Sequence, residues 1–413
     1  MPLALAAAVV IVVFAVVAGR QLASFRDRIG AAAPGVVAGK AIYLSPSFNG
    51  SEWIQIDPVT LKDLSTRPLL DIRPTSSNSF DTVVSADGST IIVGDFRNLA
   101  APTRAVYDAR TGQLRSYLVP QIGMVIDALS ADGTTAIGRI GSNRNALSDP
   151  KAIISVADGH VIRTVPAGPT FWLDRTLTAP DLGAIYYITA AVPASESLDV
   201  SIQQPLSLIV QSTVTGALSA PVPLPGISMG DILATPGSAT PTRSVGPGIA
   251  LTADGTRLVA LSYDGATLDL VDTSTLAVTG VKVHRKTSVW DLLRPLVAEA
   301  KELTDQQSIE MRFMPDGRSL VVFVSDRHYG QDGQTVTARA IQRIDLATGL
   351  IAAESSAAEG IYGSEVSPDG RSVYLVVRAK EPPAPAYLLR RLDADTLDLK
   401  AERALAAYAQ LKV

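Results

Sequence analysis

A short turn recurs along the chain with a strand-like segment on either side. It reads SADG at Ser85–Gly88 and Ser130–Gly133, TADG at Thr252–Gly255, MPDG at Met314–Gly317 and SPDG at Ser367–Gly370. A degenerate copy, APDLG, occupies Ala179–Gly183. Repetition of one turn means repetition of one supersecondary unit, and this constrains the fold more than the length of 413 residues does. An apolar strand leads into each turn, as in DTVVSADG, and a second leaves it, as in STIIVGDF. A third ends in Asp and passes through D-x-x-T-G or D-x-x-T-L into a fourth. This pattern marks Ile54–Leu61, Val106–Gly112, Val271–Leu276, Arg343–Gly349 and Arg391–Leu397. Each Asp is placed to accept backbone N–H groups of the turn it opens, and the Gly positions relieve a positive φ.

Short strands punctuated by Asp-Gly predict an antiparallel all-β array. Seven units can be marked out: unit one at 41–67, then Asp81–Val119, Val125–Val165, Leu173–Leu224, Ile249–Val283, Ile309–Glu354 and Tyr362–Arg403. A four-stranded unit cannot bury both faces alone, so neighbours must stack, and closing the stack into a ring protects all but short edges. The expected fold is therefore a β-propeller of seven four-stranded blades, spanning residues 41–413. Unit one has no Asp-Gly turn and lacks a strand, so the ring is expected to close by mixing the chain ends. Ala404–Val413 or a strand near Val36–Val37 would complete it. An open solenoid fits poorly, because the spacing along Asp87, Asp132, Asp181, Asp254, Asp316 and Asp369 is long and uneven.

Three stretches depart from this grammar. Met1–Gly19 carries no charged side chain and, at ~1.5 Å per residue, reaches nearly across a bilayer core. Residues 1–25 are read as a transmembrane anchor. The alternative is a signal peptide cleaved near Val16–Val17–Ala18, which would make the protein secreted. Residues 26–40 form a linker. Arg20, Arg26 and Arg28 follow the apolar run, so the positive-inside rule alone would keep the body in the cytoplasm. Leu233–Gly248, rich in Pro, Gly, Ser and Thr, reads as an exposed loop. Residues 287–307 read as a helical insertion, capped by Ser288 and Asp291, with Trp290, Leu293 and Val297 on one face as candidate partner-docking residues.

The grammar resembles that of the YVTN-type, WD-like bacterial β-propellers, whose relatives include TolB-type periplasmic proteins. SPDGRSVYLVV at Ser367–Val377 and TADGTRLVALS at Thr252–Ser262 carry the resemblance, with RIDLATG at Arg343–Gly349. It extends from about Lys40 to Arg403. The resemblance implies a fold and an extracytoplasmic body. It implies no particular activity, because such repeats serve lactonases, quinoprotein-like enzymes, sensors and protein-binding scaffolds.

The chemistry in the sequence is sparse. A net charge of −4 with no basic stretch argues against nucleic acid as a partner, and the absence of cysteine removes disulfides and thiolate chemistry. Gly226–Gly230 (GISMG) matches a nucleophile elbow in letters, but PVPLP before it and Pro236 after it do not make a strand–turn–helix. His160, His284 and His328 sit in unrelated units without ligand spacing, and Asp326–Gln334 reads as a solvated turn rather than a calcium loop. No catalytic residue, metal or cofactor is assigned. The start of each innermost strand faces the mouth of the central channel, where propeller ligands sit. The offsets give Asp81, Asp127, Arg175, Glu310, Arg312 and Glu365 as candidates. The expected function is a non-enzymatic, membrane-tethered module that binds a protein. The alternatives are a propeller hydrolase or a ligand sensor acting at the channel mouth.

Overall fold

The computed structural model describes residues 42–45, 54–64, 80–85, 89–95, 104–108, 113–118, 124–140, 149–169, 171–193, 205–228, 232–234, 241–285, 306–330, 333–355, 360–378, 387–405 and 410–412. Unit one contributes β1 (Ile42–Ser45) and β2 (Ile54–Ile56). Blade two holds β3 (Phe80–Val84), β4 (Thr90–Asp95), β5 (Arg104–Asp108) and β6 (Leu114–Leu118). Blade three holds β7 (Met124–Leu129), β8 (Thr135–Ile140), β9 (Lys151–Ser155) and β10 (Val161–Val165). Blade four holds β11 (Phe171–Thr178), β12 (Ala184–Pro193), β13 (Pro205–Ser212) and β14 (Val222–Ser228). A hairpin of β15 (Ile232–Ala234) and β16 (Pro241–Val245) precedes blade five. That blade holds β17 (Gly248–Leu251), β18 (Arg257–Leu261), β19 (Thr267–Asp272) and β20 (Val278–Lys282), and β21 (His284–Arg285) follows it. Blade six holds β22 (Gln306–Phe313), β23 (Ser319–Gly330), β24 (Gly333–Asp345) and β25 (Leu350–Ser355). Blade seven holds β26 (Ile361–Val366), β27 (Ser372–Arg378), β28 (Tyr387–Asp393) and β29 (Leu399–Leu405), and β30 (Gln410–Lys412) ends the chain.

The protein is a β-propeller. Among the described residues six four-stranded blades are complete, not the seven expected. Unit one is a three-stranded sheet in the order β2-β1-β30, so among the described residues the last strand pairs antiparallel with the first. The ladder continues outside β2, where Leu64 N donates to Gln55 O at 2.8 Å and Ile56 bridges Asp63.

Period-two alternation sends successive side chains of one strand into opposite seams. In β18, Leu258 and Ala260 face blade four, while Val259 and Leu261 face blade six. In β23, Leu320 and Val322 face blade five, while Val321 and Phe323 face blade seven. In β27, Val373 and Leu375 pack on blade six, while Tyr374 and Val376 pack on Ile56 and Leu61 of unit one. Such strands read as continuous apolar runs because neither face meets water. Each fully buried Val, Leu or Phe contributes roughly 1.5–3 kcal/mol, so the seams hold the ring together.

The repeated turns tie this packing down. In the S/T-x-D-G turn the Ser or Thr hydroxyl accepts the N–H five residues on, as Ser367 Oγ does from Ser372 N at 2.9 Å and Thr252 Oγ1 from Arg257 N at 3.0 Å. The turn glycine of blades three, five and seven also lies against the preceding blade, whereas a Cβ on Gly317 of blade six would meet nothing within 4 Å. Gly255 has φ 71°, and a Cβ there would lie 2.8 Å from Pro180 Cδ of blade four. Gly370 has φ 69°, and a Cβ there would lie 3.0 Å from Pro315 Cδ of blade six. The D-x-x-T turn docks on the Asp-Gly turn of its own blade. Thr273 N donates to Thr256 O at 3.0 Å, Leu346 N to Arg318 O at 2.9 Å, and Ala394 N to Arg371 O at 3.0 Å. Its Asp behaves as expected: Asp345 Oδ1 accepts Ala347 N, Thr348 N and Thr348 Oγ1 at 3.1, 2.9 and 2.7 Å. The Leu variant of this turn puts Leu61, Leu276 and Leu397 at φ 57°, 58° and 60°. That geometry costs about 1–2 kcal/mol each, and burial of Leu61 and Leu397 in the seams offsets it.

Three further expectations need correction or fall outside the described residues. No helix exists among the described residues. The N-terminal helix at 1–25 and most of the insertion at 287–307, with Trp290, Leu293 and Val297, lie outside them. Gln306 and Gln307, the end of the expected helix, instead open β22, because Ile309, Met311 and Phe313 set a period of two from there on. Leu233–Gly248 is not simply a loop, since it contains most of the β15–β16 hairpin.

Gly265 shares the positive φ of Gly255, at 72°, but a Cβ there meets nothing within 4 Å. Gly265→Ala is therefore expected to cost about 1 kcal/mol from backbone strain, and Gly255→Ala a further ~1–3 kcal/mol from overpacking against Pro180. Chemical denaturation of the two variants measures the difference.

Candidate functional site

The six channel-mouth candidates all lie on the first strand of their blades; for β22 that strand is flanked on its other side by β16. Asp81 is on β3, Asp127 on β7, Arg175 on β11, Glu310 and Arg312 on β22, and Glu365 on β26. The inner strands pack side by side, β3 on β7, β11 on β17, β17 on β22, β22 on β26 and β26 on β30. The side chains of Asp81 and Arg175 lie outside what is described.

Glu310, Arg312 and Glu365 come together across the seam between blades six and seven. Arg312 Nη2 lies 3.7 Å from Glu310 Oε2, and its Nε lies 3.6 Å from Glu365 Oε2. Two carbonyls fix the guanidinium: Nε donates to Ser364 O and Nη1 to Met311 O, both at 3.1 Å. Ser364 Oγ donates to Glu310 Oε2 at 3.1 Å. Two carboxylates thus flank one guanidinium whose best hydrogen bonds go to backbone.

Asp127 joins a different group. It is the extra residue of a bulge in β7, where the β8 register shifts between Ile126 and Ala128. A bulge re-aims its side chain, and Asp127 Oδ1 accepts Arg139 Nε at 2.9 Å. Desolvation raises the Asp127 carboxyl above the usual range, opposed by Arg139 and Lys151. Lys151 is opposite Arg139 in the ladder and only 3% exposed, and its ammonium sits 5.6 Å from the Tyr187 ring centroid of blade four. Burial pushes that ammonium below its ordinary value.

The opposite face carries a cleft of about 930 Å3 between the Asp-Gly turns of blades three, four and five, bordered by Asp132, Asp181 and Asp254. These carboxylates serve their own turns. Asp132 is held below the usual range first by the Ser130 hydroxyl, and Asp254 by the Thr252 hydroxyl. Among the described residues no group of three or more His, Asp or Glu is placed to hold a metal ion.

Sequence reasoning missed the largest departure from the repeat, which is at blade six. There β22 pairs with β23 from Phe313↔Leu320 as far as Gln306↔Arg327, and β23 with β24 on to Gly330↔Gly333. The inner pair of blade five ends at Gly248↔Leu261 after four residues. Blade six therefore runs on beyond the mouth-side end of its neighbour, and β23 alone by ~20 Å at ~3.3 Å per residue. The β15–β16 hairpin joins this extension, with Ser244 and Val245 of β16 parallel to Gln306 and Gln307. The segment read as a solvated turn, Asp326–Gln334, is the tip of this arm. Its signal was present in the long alternation TVTARAIQRID.

The serine motif has a packing role. Gly226–Ser228 belong to β14, an outer strand whose Pro223 and Pro225 protect an edge. Gly226 N donates to Asp269 Oδ2 of blade five at 3.0 Å. Asp269 is fully buried, and its Oδ1 has no hydrogen-bond partner among the described residues. A Cβ on Gly226 would lie 2.8 Å from that oxygen, so only glycine admits the carboxyl.

The sequence matches no protein-family model and no curated protein. Among solved structures it is similar to Kuenenia stuttgartiensis hydrazine synthase, at TM-score 0.41 and 17% identity over 76% of each chain. It is also similar to the β-propeller domain of Myceliophteria thermophila Cps50 (Swd1), at TM-score 0.46 and 12% identity over 81% of this chain and 87% of that one. A third is the dihydro-heme d1 dehydrogenase NirN, at TM-score 0.44 and 14% identity over 91% of this chain and 68% of that one. The propeller assignment rests on the sheets described above.

Desolvation raises the Asp269 carboxyl, against the Gly226 N–H that lowers it. A raised folded value means that its contribution is present in full below the unfolded carboxylate value of about 3.9 and is lost as pH rises toward the folded value. Asp269→Asn, which mimics the neutral acid, should match the parent near pH 3.5 and unfold at a higher temperature than the parent at pH 7. Thermal melts of the pair across that range measure it.

Proposed function

We propose that the chain is a propeller binding module, held at a membrane by its N-terminal segment with the ring outside the cytoplasm. It takes a protein partner on the mouth side of blade six. The ring is read as seven units of the YVTN type, with unit one as the closing blade. The carrying observation is the five-stranded extension in the order β15-β16-β22-β23-β24. It reaches past the end of the neighbouring blade's inner strand pair, with the ring as its base. Binding residues favour such surfaces projected from a fixed scaffold. Parallel pairing of β16 with β22 joins it to blade five, since β16 leads almost directly into β17. Trp290, Leu293 and Val297 belong to the connection between β21 and β22 and are proposed as further docking residues.

Asp326 and Thr337 face each other in the arm, so joining them through Asn-Gly removes the tip without changing register. The shortened chain should keep its unfolding midpoint and lose at least about tenfold of its affinity for the partner purified with the parent from native membranes, as expected when a docking element is removed. Deletion of residues 1–25 should release the protein from carbonate-washed membranes. An unchanged partner on the shortened arm overturns the docking reading, and retention on membranes after the deletion overturns the anchor.

A further inference from the structure

Two arginines at the seam of blades five and six make no hydrogen bond or ion pair through their side chains among the described residues, despite carboxylates close by. Arg257 opens β18 directly opposite Asp272. Arg318 precedes Ser319, which is opposite Asp345. Both carboxylates are engaged by their own turns. Asp272 Oδ1 accepts Ser274 N, Ser274 Oγ, Thr275 N and Thr275 Oγ1 at 3.0, 2.7, 2.8 and 2.9 Å, which holds its carboxyl down at about 2. Asp345 is bound likewise by Ala347 and Thr348.

Two of the other blades fill the matching position with a cation. Seven residues after the turn Asp, blade two has Arg115, which pairs with Asp108 at 2.5 Å. Blade seven has Lys400 there, 3.8 Å from Asp393. Blades five and six have Thr279 and Ala352. Without a long cation at Thr279, the space it would fill stays open as a cleft of about 550 Å3. Arg257 and Arg318 border it, both exposed, and Leu270, Val281 and Leu346 form an apolar floor continuous with the seam core.

We propose that this cleft binds a carboxylate joined to an apolar body, either a free aliphatic acid or the apolar C-terminal residue of a peptide. The carboxylate sits on the guanidinium forks of Arg257 and Arg318, and the body lies on Leu270, Val281 and Leu346. Guanidinium matches a carboxylate in bidentate geometry, and a cleft of this size accommodates a short chain or one side chain. Asp272 and Asp345 balance the two arginines, so the cleft does not gather small anions by charge alone. A ligand must supply both groups.

Calorimetric titration of the full chain with hexanoate, octanoate and decanoate below their micelle concentrations tests this, beside decanol, a pentapeptide ending in Leu and its C-terminal amide. Saturable binding of decanoate or the free-acid peptide is expected, and which of them binds names the source. Along the acids, affinity should rise about fourfold per methylene. Decanol and the amide should bind at least about tenfold more weakly, as should the acid to Arg257→Gln and Arg318→Gln, because each loses charge-assisted hydrogen bonds. Both arginines are exposed, so their variants should keep the parent's unfolding midpoint. Thr279→Arg should obstruct the cleft, because Thr279 lies opposite Leu270 of its floor. No saturable binding of either free acid at about 1 mM overturns the proposal, since that is the weakest affinity such contacts give. So does binding that decanol reproduces or that neither glutamine variant weakens.

Discussion

A blade of this protein has no solvent-facing side in its two middle strands, and the rest of the structure follows from that. In β18 and β23 consecutive residues belong to different cores, so each blade is stable only between two neighbours. A local defect in one strand is therefore felt in two seams. The same requirement forbids free ends. The chain meets it by setting its last strand beside its first, so that unit one, lacking strands of its own, still covers Tyr374, Val376 and Leu389 of blade seven.

The two kinds of turn turn this packing into a fixed geometry. In blades three, five and seven the Asp-Gly turn spaces neighbouring blades through its glycine, and the D-x-x-T turn clasps it from within the same blade. Their carboxylates accept backbone and hydroxyl donors of their own turns, which gives the aspartates on that face a structural role. Variation is concentrated elsewhere. The ends of the strands away from those turns carry the blade-six arm and the Glu310–Arg312–Glu365 group, and the seam between blades five and six holds an open cleft.

Most of the ring was legible in the sequence because its signals are local. Turn residues and apolar runs mark β3 to β14, β17 to β20, β25 to β29 and the turn-side parts of β22 to β24 to within a few residues, and Ala404–Val413 was one of two closing strands offered, beside one near Val36–Val37. The arm was not, since Gly-Gln-Asp-Gly resembles a surface turn and the alternation on either side of it exceeds the length of a blade strand. The β15–β16 hairpin was hidden by a composition of Pro, Ser and Thr that usually marks loops. Of the channel-mouth candidates counted back from the turns, Glu310, Arg312 and Glu365 do come together. Arg257 and Arg318 could not, because their meaning lies in what Thr279 and Ala352 are not. Asp269 reads as an ordinary polar position in TLDLVD until Gly226 of the preceding blade is seen beside it.

The central claim is that the ring closes between the chain ends, and one measurement tests it directly. Tyr43 faces Lys412, Leu44 faces Leu411 and Ser45 faces Gln410 in the antiparallel register. The chain has no cysteine, so a pair introduced at any of these positions has no competing partner. Neighbouring antiparallel pairs alternate between wide and narrow spacing, so Leu44→Cys with Leu411→Cys and Tyr43→Cys with Lys412→Cys together cover both. The account predicts that mild oxidation links at least one pair within the monomer and raises its unfolding midpoint, because the cross-link closes nearly the whole chain. Failure of both pairs to link, or links formed only between molecules, would contradict closure by β1 and β30.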